Sequence, residues 1–243
     1  VSNIKNPNNI NTQILGEALT NTGLSWGNVI CYGYYGSQAI GLAYADSDED
    51  VFIICDYKKL PERYARKRHT EINGVDVRIM SYENIRTEFK GMFDVFWLHN
   101  FVYTRPDGST HPYARFVKNT RLSAWECMDT LFRATVFNTV FLQRKVKEYY
   151  DNPNADNRRK VYKTFKRILK HQMVYLKIED YILGVSPSYY PAFTSEERDS
   201  LIDSTEEGTN LILDHGADPV EVLEGFAPRR ELFRDICLSV KYR

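Results

Sequence analysis

Between Asn28 and Tyr57 the chain reads NVICYGYYGSQAIGLAYADSDEDVFIICDY, two apolar runs joined by a turn-rich, acidic spacer. Any fold has to bury both runs and keep the spacer near water. Asn28 to Tyr34 is rich in β-branched and aromatic residues and leads into Gly36-Ser37, which predicts a buried strand entering a tight loop. The stretch Asp46-Ser47-Asp48-Glu49-Asp50 runs straight into Val51-Phe52-Ile53-Ile54-Cys55, a run that predicts a second central strand.

Side chains alternate faces along a strand, so Asp48 and Asp50 are expected on one side and Glu49 on the other. Two carboxylates that close repel each other, and a divalent cation between them makes the arrangement favourable. Magnesium fits such a pair, being a hard ion held by one or two carboxylates together with substrate phosphates. Gly36 lets backbone approach a phosphate with no Cβ in the way, and Ser37 offers an N–H and a hydroxyl to the same oxygens. Asp46 and Glu49 read as solubilising turn residues. Further on, His69 to Ile72 and Val75 to Met80 predict two short strands around Asn73-Gly74, a hairpin signal, with Asp76 flanked by Val75 and Val77.

In this order, strand, Gly36-Ser37, a spacer with Gly41, Ser47-Asp48-x-Asp50, apolar strand, hairpin and Asp76, the chain up to about Thr110 resembles the active-site signature of the DNA polymerase β-like nucleotidyltransferases. The resemblance implies an α+β protein: a nucleotidyltransferase fold, a small mixed sheet with helices, over residues 1–112, followed by an all-α helical domain over 113–243. It implies transfer of a nucleoside monophosphate from a nucleoside triphosphate such as ATP to a hydroxyl acceptor, with release of pyrophosphate. Two magnesium ions would be held by Asp48, Asp50 and Asp76, with Asp76 also helping to deprotonate the acceptor. Gly36, Ser37 and Gln38 would bind the nucleotide. Gln38 is a departure, because many small members of the family carry arginine there, and the triphosphate loses one cationic contact. Two further readings are a catalytically silent nucleotide-binding module on the same fold, against which the three retained acids argue, and an interaction protein with an incidental acidic strand.

Composition limits the partners. Lys plus Arg and Asp plus Glu number 32 each, so no overall field draws the chain to nucleic acid, and any such surface is local. An apolar content of 43% supports a buried core. Cys31, Cys55, Cys127 and Cys237 show no CxxC or zinc spacing, and Cys31 and Cys55 read as small apolar strand residues. The five histidines form no HxxxH or HxH cluster and receive no metal assignment. No signal-like opening and no apolar run of membrane-spanning length is present, so a soluble, cytoplasmic, reducing setting is expected.

Taken in order, residues 1–10 read as a loose arm and Thr12 to Gly23 as a helix. Lys58 to Arg68 is a basic loop or helix, read first as charged surface and otherwise as a phosphate contact. Ser81 to Lys90 predicts a helix stopped by Gly91. Asp94 to Tyr103 is either a strand or a buried helix packing the core, with Trp97, His99 and Asn100 facing a nucleotide as the alternative. Pro106-Asp107-Gly108-Ser109 is a turn near the domain change, which falls between Gly108 and Thr120. Two long helices follow. Arg121 to Tyr150 carries a stripe of Trp125, Met128, Leu131, Phe132, Thr135, Val136, Val140 and Phe141, and Asn157 to Leu183 carries one of Val161, Phe165, Ile168, Leu169, Gln172 and Met173.

The second of these helices also holds Arg158, Arg159, Lys160, Lys163, Lys166, Arg167 and Lys170 with no acid between them. Such a run is either a solvated face or a phosphate or RNA contact over 158–170, with Lys166 and Lys170 the nucleotide-binding candidates. A basic residue shortly before His171, with Gly184 closing the helix, is loosely similar to the predicted nucleotidyltransferases of RNA-repair pathways, although Val174 stands where arginine is expected. RNA is thus the favoured acceptor, with a protein side chain or a small hydroxylated molecule as alternatives. Helices are predicted from Thr194 to Asp214, after Asp218-Pro219, and from Pro228 to Ser239.

Overall fold

The computed structural model describes residues 10–43, 47–55, 69–81, 103–104, 106–111, 124–185 and 193–226. The readings made for residues 1–9, Asp46, Lys58 to Arg68, the helix after Ser81, residues 94–102 and Pro228 to Ser239 lie outside these. The protein is mixed α+β and divides into two compact units, Val1–Arg121 with Ala192–Ser195, and Leu122–Pro191 with Glu196–Arg243.

In the first unit, helix α1 (Thr12–Asn21) starts where the Asn11 side chain accepts from the Gln13 N–H at 3.0 Å. It ends where Thr22 Oγ1 donates to the Ala18 and Leu19 carbonyls. Strand β1 (Val29–Tyr34), the single-turn helix α2 (Ser37–Ile40), and strands β2 (Glu49–Cys55), β3 (His69–Ile72), β4 (Val75–Ser81), β5 (Tyr103–Thr104) and β6 (Thr110–His111) follow. The sheet order is β3-β4-β2-β1-β5-β6. Of its pairings only β2 with β4 is parallel. Asn73 and Gly74 take φ of 51° and 79°, the positive values that a two-residue hairpin loop between twisted strands requires. The small β5–β6 ladder flanks the Pro106–Gly108 turn, where only a turn was expected; strands of two residues carry no readable alternation.

Alternation along the longer strands divides the sheet cleanly. Val51, Ile53 and Cys55 of β2, Val75, Val77 and Ile79 of β4, and Tyr32 and Tyr34 of β1 form one core with Leu15, Ala18 and Leu19 of α1. Asp50, Phe52, Asp76 and Arg78 therefore project from the opposite face. Cys31 and Cys55 are both fully buried, as the apolar reading of both requires. Burial pushes the Cys55 thiol up to about 12, which removes it as a nucleophile.

The second unit is helical. Helices α3 (Ala124–Asp151) and α4 (Ala155–Ile182) pack along each other, with α5 (Ser195–Leu213) and α6 (Pro219–Phe226) after them. Met128, Leu131, Thr135 and Val136 of the expected α3 stripe are buried; beyond them the inner face runs through Asn138, Thr139, Leu142 and Val146, and Val140, expected inside, is exposed. Short polar side chains can face inward because each satisfies itself on its own helix. Thr135, Asn138 and Thr139 donate to the carbonyls of Leu131, Ala134 and Thr135. Arg158, first of the basic run, forms a bidentate pair with Asp214 at 2.8 and 2.9 Å and donates to Asn210, which ties α4 to the end of α5. No helix among the described residues is long and apolar enough to cross a membrane.

Gly208 sits within α5, where glycine costs about 1 kcal/mol relative to alanine. Its reason is proximity: a Cβ there would overlap Cζ of the fully buried Phe165 and lie 2.6 Å from its Cε1. Gly208→Ala gains helix propensity but overpacks the core by about 1–3 kcal/mol, so a net loss of stability is expected. Combining it with Phe165→Leu is expected to recover much of that loss in thermal melts. A Gly208→Ala variant as stable as wild type would show that the ring moves aside at no cost.

His171 on α4 is buried, and burial first, then the charges of Lys170 and Arg167, push its imidazole from 6.5 down to about 3. Between those values the unfolded chain binds the proton and the folded protein does not, so stability falls as pH drops through that window. Relative to His171→Gln, wild type is expected to lose up to about 1.4 kcal/mol more per pH unit below about pH 6. Urea unfolding at pH 7, 6 and 5 measures this, and parallel curves would refute it.

Candidate active site

The sheet brings two of the acids side by side. In the parallel β2–β4 register Asp50 is the partner of Asp76, so the two side chains leave the same face from strands about 4.8 Å apart. Both are half-buried. Over them lies the turn from β1 to α2. The Tyr35 N–H donates to the Asp50 carbonyl at 2.9 Å, extending the ladder to the turn. Gly36 then takes φ 67° and ψ −143°, a region open in practice to glycine alone. A Cβ on Gly36 would overlap Asp50 Oδ2. Glycine is thus needed here twice, for its dihedral angles and for the room it leaves the carboxylate. Gly41, at φ 81°, ends α2, and a Cβ there would lie 2.9 Å from the Phe193 carbonyl.

The rest of the face is polar and aromatic. Tyr35 packs edge-on against Phe52, and the Arg78 guanidinium lies 5.4 Å from the Tyr35 ring centre. His69 at the start of β3 places Nε2 2.6 Å from Asp76 Oδ2. The other oxygen, Asp76 Oδ1, is buried with no hydrogen-bond partner among the described residues. His69, Tyr35 and Arg78 are site residues that motif reading missed. For His69 a signal existed: a two-residue Asn73-Gly74 loop sets His69 opposite Arg78, on the same face as Asp76 and diagonal to it.

The other expected site residues are distributed as follows. Asp48 precedes β2 and is exposed, and Glu49, expected in a turn, is the first residue of the strand. As alternation requires, Glu49 faces away from Asp50 and accepts from the Tyr34 hydroxyl; burial raises that phenol, and the Glu49 charge and hydrogen bond raise it further. Ser37 is half-buried at the start of α2, directly after Gly36. Gln38 is buried, and its Oε1 has no partner among the described residues. Lys166 and Lys170 lie on α4 in the helical unit.

A hard cation fits what Asp50 and Asp76 offer: carboxylate oxygens on neighbouring strands, one of them buried and unpaired. Among the described residues no group of three Asp, Glu, His or Cys side chains is placed to bind a metal. No protein-family model matches the sequence, and no curated protein matches it.

Gly36→Ala is expected to destabilise the protein by about 1–3 kcal/mol from its backbone alone, with the overlap on Asp50 added. In a double-mutant cycle with Asp50→Ala, the pair is expected to cost less than the sum of the two single changes, because one removes the overlap that the other creates. Additive losses in urea unfolding would show that the carboxylate and the turn do not touch.

Proposed function

We propose that the protein is a magnesium-dependent nucleotidyltransferase, moving a nucleoside monophosphate from a nucleoside triphosphate to a hydroxyl acceptor. One observation carries the reading: Asp50 and Asp76 stand side by side beneath a glycine turn that opens onto their carboxylates.

Asp48 and Asp50 would hold the magnesium that accompanies the triphosphate, and Asp76, the third acid that the family resemblance assigns, would complete a second site. Bound magnesium would offset charge on the attacking and leaving oxygens. Gly36 and Ser37 would receive the triphosphate, glycine by letting the backbone come close and serine through its N–H and hydroxyl. Asp76 would take the acceptor proton as the acceptor oxygen bonds to the α-phosphorus. The bond from that phosphorus to the bridging oxygen breaks, and pyrophosphate carries away the electron pair.

The basic run on α4 favours an RNA 3′ hydroxyl as acceptor over a protein or small-molecule hydroxyl. Arg158 pairs with Asp214 and Lys160 with Asp156 inside the helical unit, and Lys166 and Lys170 are the residues of the run proposed to meet RNA. A second reading is a module that binds nucleotide without transferring it, against which the three retained acids argue.

Incubation with magnesium and each α-labelled nucleoside triphosphate, with bulk RNA, tRNA or the protein itself as acceptor, tests the proposal. Label transfer is expected for wild type. Asp50→Asn and Asp76→Asn are each expected to lower it by more than the 10–100-fold that loss of even an outer metal partner typically costs. Magnesium-dependent triphosphate binding without transfer would point to the silent module, and absence of both would sink the nucleotide reading.

A further inference from the structure

We propose that His69 is a positioning residue that divides the two oxygens of Asp76, holding Oδ2 so that Oδ1 is the one presented to the cation. The proposal rests on the nucleotidyltransferase reading above and adds to it a residue outside the acid set. An ionised carboxylate only accepts hydrogen bonds, so at 2.6 Å His69 Nε2 carries the hydrogen and donates it to Asp76 Oδ2. The bond spans a hairpin whose two-residue loop leaves no slack in register, so the imidazole is fixed by backbone as well as by its partner. A buried acceptor left unpaired costs about 1–3 kcal/mol. Asp76 Oδ1 is such an atom, and a bound cation would satisfy it.

Rotation about the last torsion of an aspartate is soft and nearly two-fold. Nothing in the covalent structure therefore distinguishes Oδ1 from Oδ2, and the imidazole breaks that symmetry. The same arrangement, a ligand held by a hydrogen bond from a second residue, is general at metal sites. A competing account is an ordinary edge-strand pair: the His69 side chain is 56% exposed, and exposed pairs of this kind contribute little to stability.

Mn²⁺ binding to the nucleotide-free protein, followed by the electron-spin signal of the free ion, separates the two. Wild type, His69→Ala, His69→Gln and Asp76→Asn are compared, with thermal melts to confirm that each is folded. His69→Ala is expected to weaken Mn²⁺ binding by about 10–100-fold and to lower kcat with KM for the triphosphate nearly unchanged. Glutamine places an amide N–H where Nε2 was, so His69→Gln is expected to restore most of both. Wild-type affinity in His69→Ala, or no rescue by glutamine, would overturn the positioning role while leaving the nucleotidyltransferase reading intact. If wild type itself shows no Mn²⁺ binding that Asp76→Asn weakens, both fall together.

Discussion

The parallel pairing of β2 with β4 is the contact on which the rest of the site depends. It sets Asp50 beside Asp76, and two like charges at that spacing repel by roughly 1–4 kcal/mol in surroundings between water and a protein surface. What holds them there is on the other side of the sheet. Val51, Ile53, Val77 and Ile79 are packed into the core with α1, and a slip of one residue would turn the carboxylates into that core and the aliphatic side chains out of it. Burial of several such side chains, each worth about 1.5–3 kcal/mol, outweighs the repulsion. The acid pair is thus held at short range by hydrophobic packing it does not touch.

Local signals were readable and long-range ones were not. Asn73-Gly74 marks the hairpin, and Asp218-Pro219 opens α6 with its carboxylate accepting from the Val220 and Glu221 N–H groups. Asp50 and Asp76 were both legible as site candidates, but their adjacency was not, because a parallel partner lies beyond an intervening segment and its register has no local mark. Asp48 lies one residue before β2, which begins at Glu49.

The helical unit shows the same division. The extents of α3 and α4 follow from apolar periodicity, yet the later part of the inner face of α3 was missed because Asn138 and Thr139 look like surface residues. Each meets its hydrogen-bonding need within its own helix, so polarity did not keep it outside. Likewise, nothing in the basic run on α4 marks Arg158 as the member that pairs with Asp214. Gly208 reads as a weak point in a helix until Phe165 is found against it.

Phe193 has a consequence for how the protein can be dissected. It lies in the short Ala192–Ser195 segment that belongs to the sheet-bearing unit, although its neighbours on both sides in sequence belong to the helical one. The backbone thus passes from one unit to the other three times, and no single cut releases either intact. A fragment ending near Arg121 would keep every described strand with Asp50 and Asp76, yet lose the Phe193 carbonyl that seats against Gly41 at the close of α2. The Gly36–Gly41 turn therefore depends on a segment that the chain reaches only after the helices α3 and α4, and the sheet-bearing unit cannot be shortened to its own contiguous stretch.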